Sequence, residues 1–330
     1  MRGIVFLYVF FIPILLVSQS RTPKDFGFRH IVFNYKGDDV DILVKSKKGE
    51  IDIPKPLFFF IQGSLPHPLI ITENGGNYGV FPFDTDSIEQ KYHLVIVGKP
   101  FTPVIVDKNK LKDFQFIDST TNRFSKEYIK RNHLDYYVDR DIKVLEFLLK
   151  RKWVKKNKLV VSTHSEGSTI GSKLCVLYPK VTHLIYSGGN PFGRYINIIR
   201  QNRFEELSDS TVNTEDAYNQ WKNIVREPQQ IDNSDGDTYK GTFGFSIPPI
   251  NYLRKLKIPV LVSYGTMDYC SPFNDYMRLE FIQKGKSNFT FKPYIGLEHN
   301  YFPKDKMGVV NHNEFNWNKV SSDWLKWLDK

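Results

Sequence analysis

The stretch Leu159 to Gly171, LVVSTHSEGSTIG, carries the side chain best placed to do chemistry. A β-branched apolar run stops at small residues, and an amphipathic segment from Ile170 to Tyr178 follows. That is the pattern of a strand, a tight turn and a helix with Ser165 at the apex. The serine Oγ is pushed out of such a turn, and the N–H of Glu166 at the helix start faces the same side, where it can bind a developing oxyanion. Strand and helix nearly collide, so small residues are wanted two before and two after the serine. Gly167 meets the second need, whereas Thr163 is larger than the first calls for. Read alone, the stretch also fits an ordinary strand-to-helix turn that contains a serine.

The five residues Thr163-His164-Ser165-Glu166-Gly167 resemble the G-x-S-x-G nucleophile elbow of the α/β-hydrolase superfamily, with Thr163 as a departure. The resemblance implies that an acid and then a histidine follow the serine along the chain. The acid orients the histidine, which takes the serine proton. The run Val260–Tyr264 ends in Gly265-Thr266-Met267-Asp268, putting Asp268 at the rim where open α/β sheets bind ligands. A turn or helix-capping aspartate reads equally well there, and Asp275 is the rival acid. The segment Gly296-Leu297-Glu298-His299-Asn300-Tyr301-Phe302 is similar to the family's histidine loop. His299 lies 31 residues beyond Asp268, room for one helix and one strand. Of the other histidines, His30, His67, His93, His133, His164 and His183 precede that acid, and His312 falls in the C-terminal segment. Gln62-Gly63-Ser64 occupies the place of the family's His-Gly oxyanion loop. The resemblance therefore implies the Ser64 N–H as second oxyanion donor beside Glu166, with Gln62 and Gly63 against the substrate. Gln62 in place of His is a second departure. Gly75-Gly76-Asn77-Tyr78-Gly79 could shape the same mouth, but it lacks the Lys-Ser/Thr of a phosphate loop.

These residues need elements to hold them. His30–Tyr35 and Val40–Val44 alternate around Gly37-Asp38-Asp39 and predict an exposed β-hairpin. Leu57–Ile61 and His93–Val97 are continuous apolar runs, as in strands buried on both faces. Helical periodicity runs from Tyr128 to Lys150, and further strands are predicted at 158–161, 182–186, 259–264 and 289–295. An amphipathic helix closes the chain from Phe315 to Leu328. The fold class is α/β, a mostly parallel doubly wound sheet behind an N-terminal hairpin, and the resemblance covers about residues 30–330. Residues 191–253 hold no clear buried strand, yet so long a loop is rarely structureless. They include the turn Asn233-Ser234-Asp235-Gly236-Asp237 and the aromatics Trp221, Tyr239, Phe243 and Phe245. The resemblance makes this a cap inserted after the sixth strand, with Trp221 binding substrate.

Composition narrows the rest. The chain has 330 residues, 41% hydrophobic and 15% aromatic, enough for one large core within 21–330. Residues 1–20 stand apart. Arg2 is their only charge, Ile4–Val17 is almost wholly apolar, and Ser18 and Ser20 suit cleavage before Arg21. This is a signal-peptide plan, giving a secreted or periplasmic protein. An uncleaved anchor is the competing reading, although the run is shorter than the roughly 20 residues that span a bilayer. Losing Arg2 lowers the net charge from +10 to +9. Arg151, Lys152, Lys155, Lys156 and Lys158 form the nearest thing to a basic cluster, better read as a solvated face than as a nucleic-acid site. Weak association with anionic surfaces stays open. Cys175 and Cys270 form no disulfide framework and lack metal-ligand spacing, so two free thiols are expected, with a bridge left open.

Together these features lead to a secreted serine hydrolase that cleaves a small-molecule carboxylic ester through an acyl-enzyme, with Ser165, His299 and Asp268 as triad and no metal or cofactor. A peptidase of the prolyl-peptidase-like branch is the enzymatic alternative. A catalytically silent binding protein on the same fold is the alternative from another class.

Overall fold

A computed structural model describes residues 21–78, 81–118, 120–231 and 237–330. The signal-peptide segment 1–20 and all but the last residue of the turn at 233–237 lie outside the described residues.

Eight strands form one sheet: β1 (Phe28–Tyr35), β2 (Asp38–Lys45), β3 (Lys55–Ile61), β4 (His93–Val97), β5 (Val154–His164), β6 (His183–Ser187), β7 (Val260–Gly265) and β8 (Phe289–Tyr294). Their order is β1-β2-β4-β3-β5-β6-β7-β8. All pairs are parallel except β1/β2 and β2/β4. The hairpin differs from the expected exposed one. Its turn is Lys36-Gly37, both at positive φ as a two-residue hairpin turn requires, so β2 already begins at Asp38. β2 pairs with β4, and Ile42, Leu43 and Val44 are fully buried.

Main helices cover both sheet faces: α1 (Leu134–Leu148), α2 (Glu166–Leu177), α3 (Arg194–Glu205), α4 (Thr214–Arg226), α5 (Tyr239–Ser246), α6 (Ser271–Gln283) and α7 (Trp317–Leu328). The periodic stretch from Tyr128 is not one helix. A short helix, Lys126–Arg131, stops at Asn132, and α1 starts afresh where the His133 ring accepts the Tyr136 N–H. Periodicity alone does not detect such a restart. α2 starts at Glu166, as expected of the turn, and α7 starts at Trp317 rather than Phe315. A three-stranded sheet of Ile70–Glu73, Gly76–Tyr78 and Ile105–Asp107 has strands too short to show in the sequence.

One core cluster lies between the sheet and α1, α2 and the short helix Ile250–Leu253. A second gathers Phe58, Phe60, Phe81, Phe83 and the α7 tryptophans Trp317 and Trp324 on the other face. The segment after β6, the sixth strand, folds into α3, α4, α5 and that short helix. α3, α4 and α5 enclose a small core of their own, built on Tyr195, Ile199, Ala217 and Ile224. Among the described residues no helix is long and apolar enough to cross a membrane. Both cysteines are free and buried.

Candidate active site

Chain order reverses between β3 and β5. β4 lies on one side of β3 and β5 on the other, so a crevice opens at the carboxyl ends of these strands. Ile61 pairs with Thr163, which places Gln62-Gly63-Ser64 directly beside His164-Ser165. Ser165 has φ 57° and ψ −125°, a conformation that L residues rarely adopt and that aims its side chain into the crevice. Its N–H donates to the Ser187 carbonyl at 2.9 Å. A Cβ on Gly167 would stand 2.2 Å from the Ile61 oxygen, so this position must be glycine. The small residue missing at Thr163 is supplied one helical turn later. A Cβ on Gly171 would lie 2.4 Å from the Thr163 methyl, and the Thr163 hydroxyl donates to the Ile185 carbonyl at 2.8 Å. Thr163 is thus fully accommodated.

His299 Nε2 lies 2.9 Å from Ser165 Oγ, and its Nδ1 lies 2.7 Å from Asp268 Oδ2. The other Asp268 oxygen accepts the Cys270 N–H at 3.0 Å. Burial works against ionisation of both groups. For His299 the charge and hydrogen bond of Asp268 outweigh that penalty and hold the imidazole above its ordinary value. For Asp268 the His299 charge and hydrogen bond, helped by the Cys270 N–H, hold the carboxyl below its ordinary value. Asp275 is elsewhere. It accepts the Tyr264 hydroxyl at 2.5 Å and does not approach His299.

Ser64 lines the mouth with Ser165 and His299, and a Cβ on Gly63 would lie 3.5 Å from the Ser165 Cβ. Gln62 is anchored by its Nε2, which donates to the Val97 carbonyl at 3.0 Å, so it braces the loop from β4. The N–H of Glu166 begins α2, at the positive end of the helix dipole. Its side chain turns inward and is 4% exposed, held by Lys99 and Arg194.

Two cavities meet at Ser165. One, of about 410 Å³, is walled by Phe60, Leu65, Leu69, Ile71, Tyr78, Pro82 and Trp317, with Gln62, His67, His164 and Asn300 among them. The other, of about 430 Å³, lies under α3 and is walled by Asn190, Arg194, Asn197, Gln201 and Asp237, with Phe245 and Tyr269. Trp221, expected against the substrate, borders neither of these two cavities. It packs on Tyr195, with ring centroids 4.5 Å apart, and on Phe243, because three short helices need a core of their own.

The sequence reading missed two features. His164 lies with its ring 4.9 Å from that of His299 and edge-on to Trp317 at 4.8 Å, and its Nδ1 lies 3.2 Å from Ser187 Oγ. Burial first, then the nearby His299, push it down to about 3, so it stays neutral. Its adjacency to Ser165 was the available signal. Behind Ser187, the hydroxyls of Tyr301 and Ser263 and the Trp324 indole continue a buried hydrogen-bond chain. The second feature is the Lys99–Glu166–Arg194 cluster, whose members are far apart in sequence and carry no shared pattern. Among the described residues no group of three or more His, Cys, Asp or Glu side chains is placed to hold a metal ion.

No family model and no curated protein matches the chain. Solved structures do. Est1E from Butyrivibrio proteoclasticus is similar over 91% of this chain and 99% of its own, with TM-score 0.53 and 15% identity. The Pyrococcus horikoshii acylaminoacyl peptidase is similar over 82% of this chain and 37% of its own, with TM-score 0.51 and 12% identity. The Porphyromonas gingivalis dipeptidyl peptidase 4 is similar over 91% and 35%, with TM-score 0.51 and 11% identity. The chain thus spans about a third of the two peptidases and almost all of Est1E.

Proposed function

We propose that this chain, which has the α/β-hydrolase fold, is a serine hydrolase that cleaves a carboxylic ester through an acyl-enzyme. The observation that carries the reading is the continuous line from Asp268 Oδ2 through the His299 ring to Ser165 Oγ, at 2.7 and 2.9 Å. A binding protein on this fold has no use for a serine held at φ 57° with a base against it.

In this reading Ser165 Oγ attacks the ester carbonyl as its proton passes to His299 Nε2. Asp268 holds the Nδ1–H tautomer and stabilises the imidazolium that forms. The tetrahedral oxyanion is bound by the N–H groups of Ser64 and Glu166. On collapse the C–O bond breaks, His299 returns the proton to the departing alcohol, and the acyl group stays on Ser165. Water, deprotonated by the same nitrogen, then releases the acid. The residues α3 to α5 serve as the cap, roofing the polar cavity, and the mature chain starts near Arg21 after export. Covalent labelling by a fluorophosphonate, followed by chromogenic esters and aminoacyl amides, tests the activity. Turnover confined to amides would favour the peptidase. N-terminal sequencing from a secreting host tests export, and a chain starting at Met1 would contradict it.

A further inference from the structure

The polar cavity contains a cation with one side fixed and the other replaceable. Arg194, the first residue of α3, binds two carboxylates through different nitrogens. Its Nη2 meets Glu166, whose side chain is 4% exposed and is shared with Lys99 at 3.4 Å. Its Nη1 meets Asp237 Oδ1 at 2.7 Å, and the Asp237 side chain is 65% exposed. The guanidinium lies over the Phe245 ring at 4.7 Å, which fixes its plane. In the buried part of this cluster, two cations face one carboxylate. Among the described residues, the second ion-pair partner of Arg194 is the exposed Asp237. An ion pair with one partner in solvent contributes little net stability, so exchanging that partner costs little. A guanidinium edge is the geometry that receives a carboxylate. Arg194 and Asp237 both line the cavity that Ser165 and His299 open into.

We propose that Arg194 is the receptor for a carboxylate on the substrate, which takes the place of Asp237, so that the preferred ester carries an acidic group on the half that enters the cavity under α3. The proposal rests on the hydrolase reading for what happens to that ester, but the recognition itself needs no turnover. The opposite cavity has the larger aliphatic and aromatic walls, Phe60, Leu65, Leu69, Ile71 and Trp317, and suits the less polar half of the substrate. The net charge, +10 for the whole sequence and +9 without Arg2, draws such an anion in.

The test uses the full chain with Ser165→Ala, so that substrates bind without reacting. The probes are 4-nitrophenyl hydrogen succinate, glutarate and adipate, each against its neutral primary amide. A second series of acetate esters of ω-hydroxy acids and their amides puts the acid on the alcohol side. Calorimetry should show at least one chain length binding about tenfold or more tightly as acid than as amide. Asp237→Asn, which removes the resident competitor, should raise that ratio several-fold. Arg194→Gln should bring it close to one, and Arg194→Lys should leave it in between. The proposal is overturned if no acid beats its amide, if the preference survives Arg194→Gln, or if Asp237→Asn leaves the ratio unchanged. Should Arg194→Gln fail to fold, the parental ratio and Asp237→Asn decide. Fluorophosphonate labelling of the unmutated chain reports on the hydrolase reading separately.

Discussion

Aromatic side chains are gathered at two places near the serine, with opposite uses. Under β3 and β4, Phe60, Phe81, Phe83, Trp317 and Trp324 pack into the second core cluster, and Phe60 and Trp317 also face the apolar cavity. In the inserted helices, Trp221 packs on Tyr195 and Phe243, and none of the three borders a cavity at the serine. The cavity under α3 is faced instead by Asn197, Ile198 and Gln201 and by Phe245, a ring that belongs to the sheet core. The reason is size. The sheet body has core to spare, so its aromatic residues can be shared with a ligand site. A unit of three short helices must use its large apolar side chains to hold itself together. Aromatic content in a cap therefore does not by itself indicate an apolar substrate.

The contrast is broken most severely from the body side. Ser165→Ala and His299→Ala should each lower kcat by on the order of 10⁶, and the double variant should be little worse, because the two act as one unit. Asp268→Asn should cost about 10⁴ in kcat, since the amide favours the wrong His299 tautomer. It should also move the acid limb of kcat/KM to lower pH, because burial would then lower the imidazole without the carboxylate to raise it. In the unmutated chain the neutral imidazole is the base and its value lies above 6.5, so activity should rise through a pH above 6.5. Asp275→Asn should leave kcat nearly unchanged. A dead Asp275→Asn beside an active Asp268→Asn would assign the acid to the wrong residue.

Gly167→Ala comes next. A Cβ 2.2 Å from a backbone oxygen cannot be relieved by turning a side chain, so the elbow or the 62–64 loop must shift. We expect a loss of about 3 kcal/mol in denaturant unfolding, together with loss of turnover. A variant as stable as the parent would mean that the loop and helix do not meet as described.

Most of the sheet was legible because its strands are short runs with distinct ends: 55–61, 93–97 and 260–265 differ from their expected bounds by two residues at most. The strand 154–164 begins four residues earlier than expected because its first half is polar. The order serine, aspartate, histidine was legible for the same reason, as each follows the end of a strand. What sequence could not show was anything decided by packing. Thr163 read as a fault until Gly171 appeared opposite its methyl group. Trp221 is placed against the substrate by the resemblance to a capped fold, and neither the resemblance nor the sequence says which neighbours its ring meets. Lys99, Glu166 and Arg194 come from three separate elements, and only the fold brings their charges together.

The two aromatic groups can be separated directly. Trp221→Ala should lower stability by about 2 kcal/mol, less than a fully buried ring would cost, and leave the relative rates on butyrate and octanoate esters where they were. Ile71→Ala, on the apolar wall, should change that ratio several-fold. A shift in the ratio from Trp221→Ala and none from Ile71→Ala would restore the cap as the apolar selector.

The smallest effect concerns His164, between the body and the site. Its folded value, about 3, lies below the ordinary 6.5 because burial and the adjacent His299 both oppose its charge. A depressed histidine binds fewer protons folded than unfolded, so its contribution is complete above pH 6.5 and is lost as the pH falls toward 3. At pH 5.5, one unit into that window, the loss from this group is about 1.4 kcal/mol. His67, His93 and His133 are also lowered by burial and lose stability in the same direction. His299, held above its ordinary value, works the other way over this interval. It is outnumbered by the lowered histidines, so the parent should weaken between pH 7.5 and 5.5 in urea unfolding. His164→Gln should start lower at pH 7.5, having given up the ring packed on His299 and Trp317, but lose about 1.4 kcal/mol less across the interval. Equal losses in parent and variant would mean that His164 takes up its proton without cost, and that the contact between the two imidazoles is looser than 4.9 Å implies.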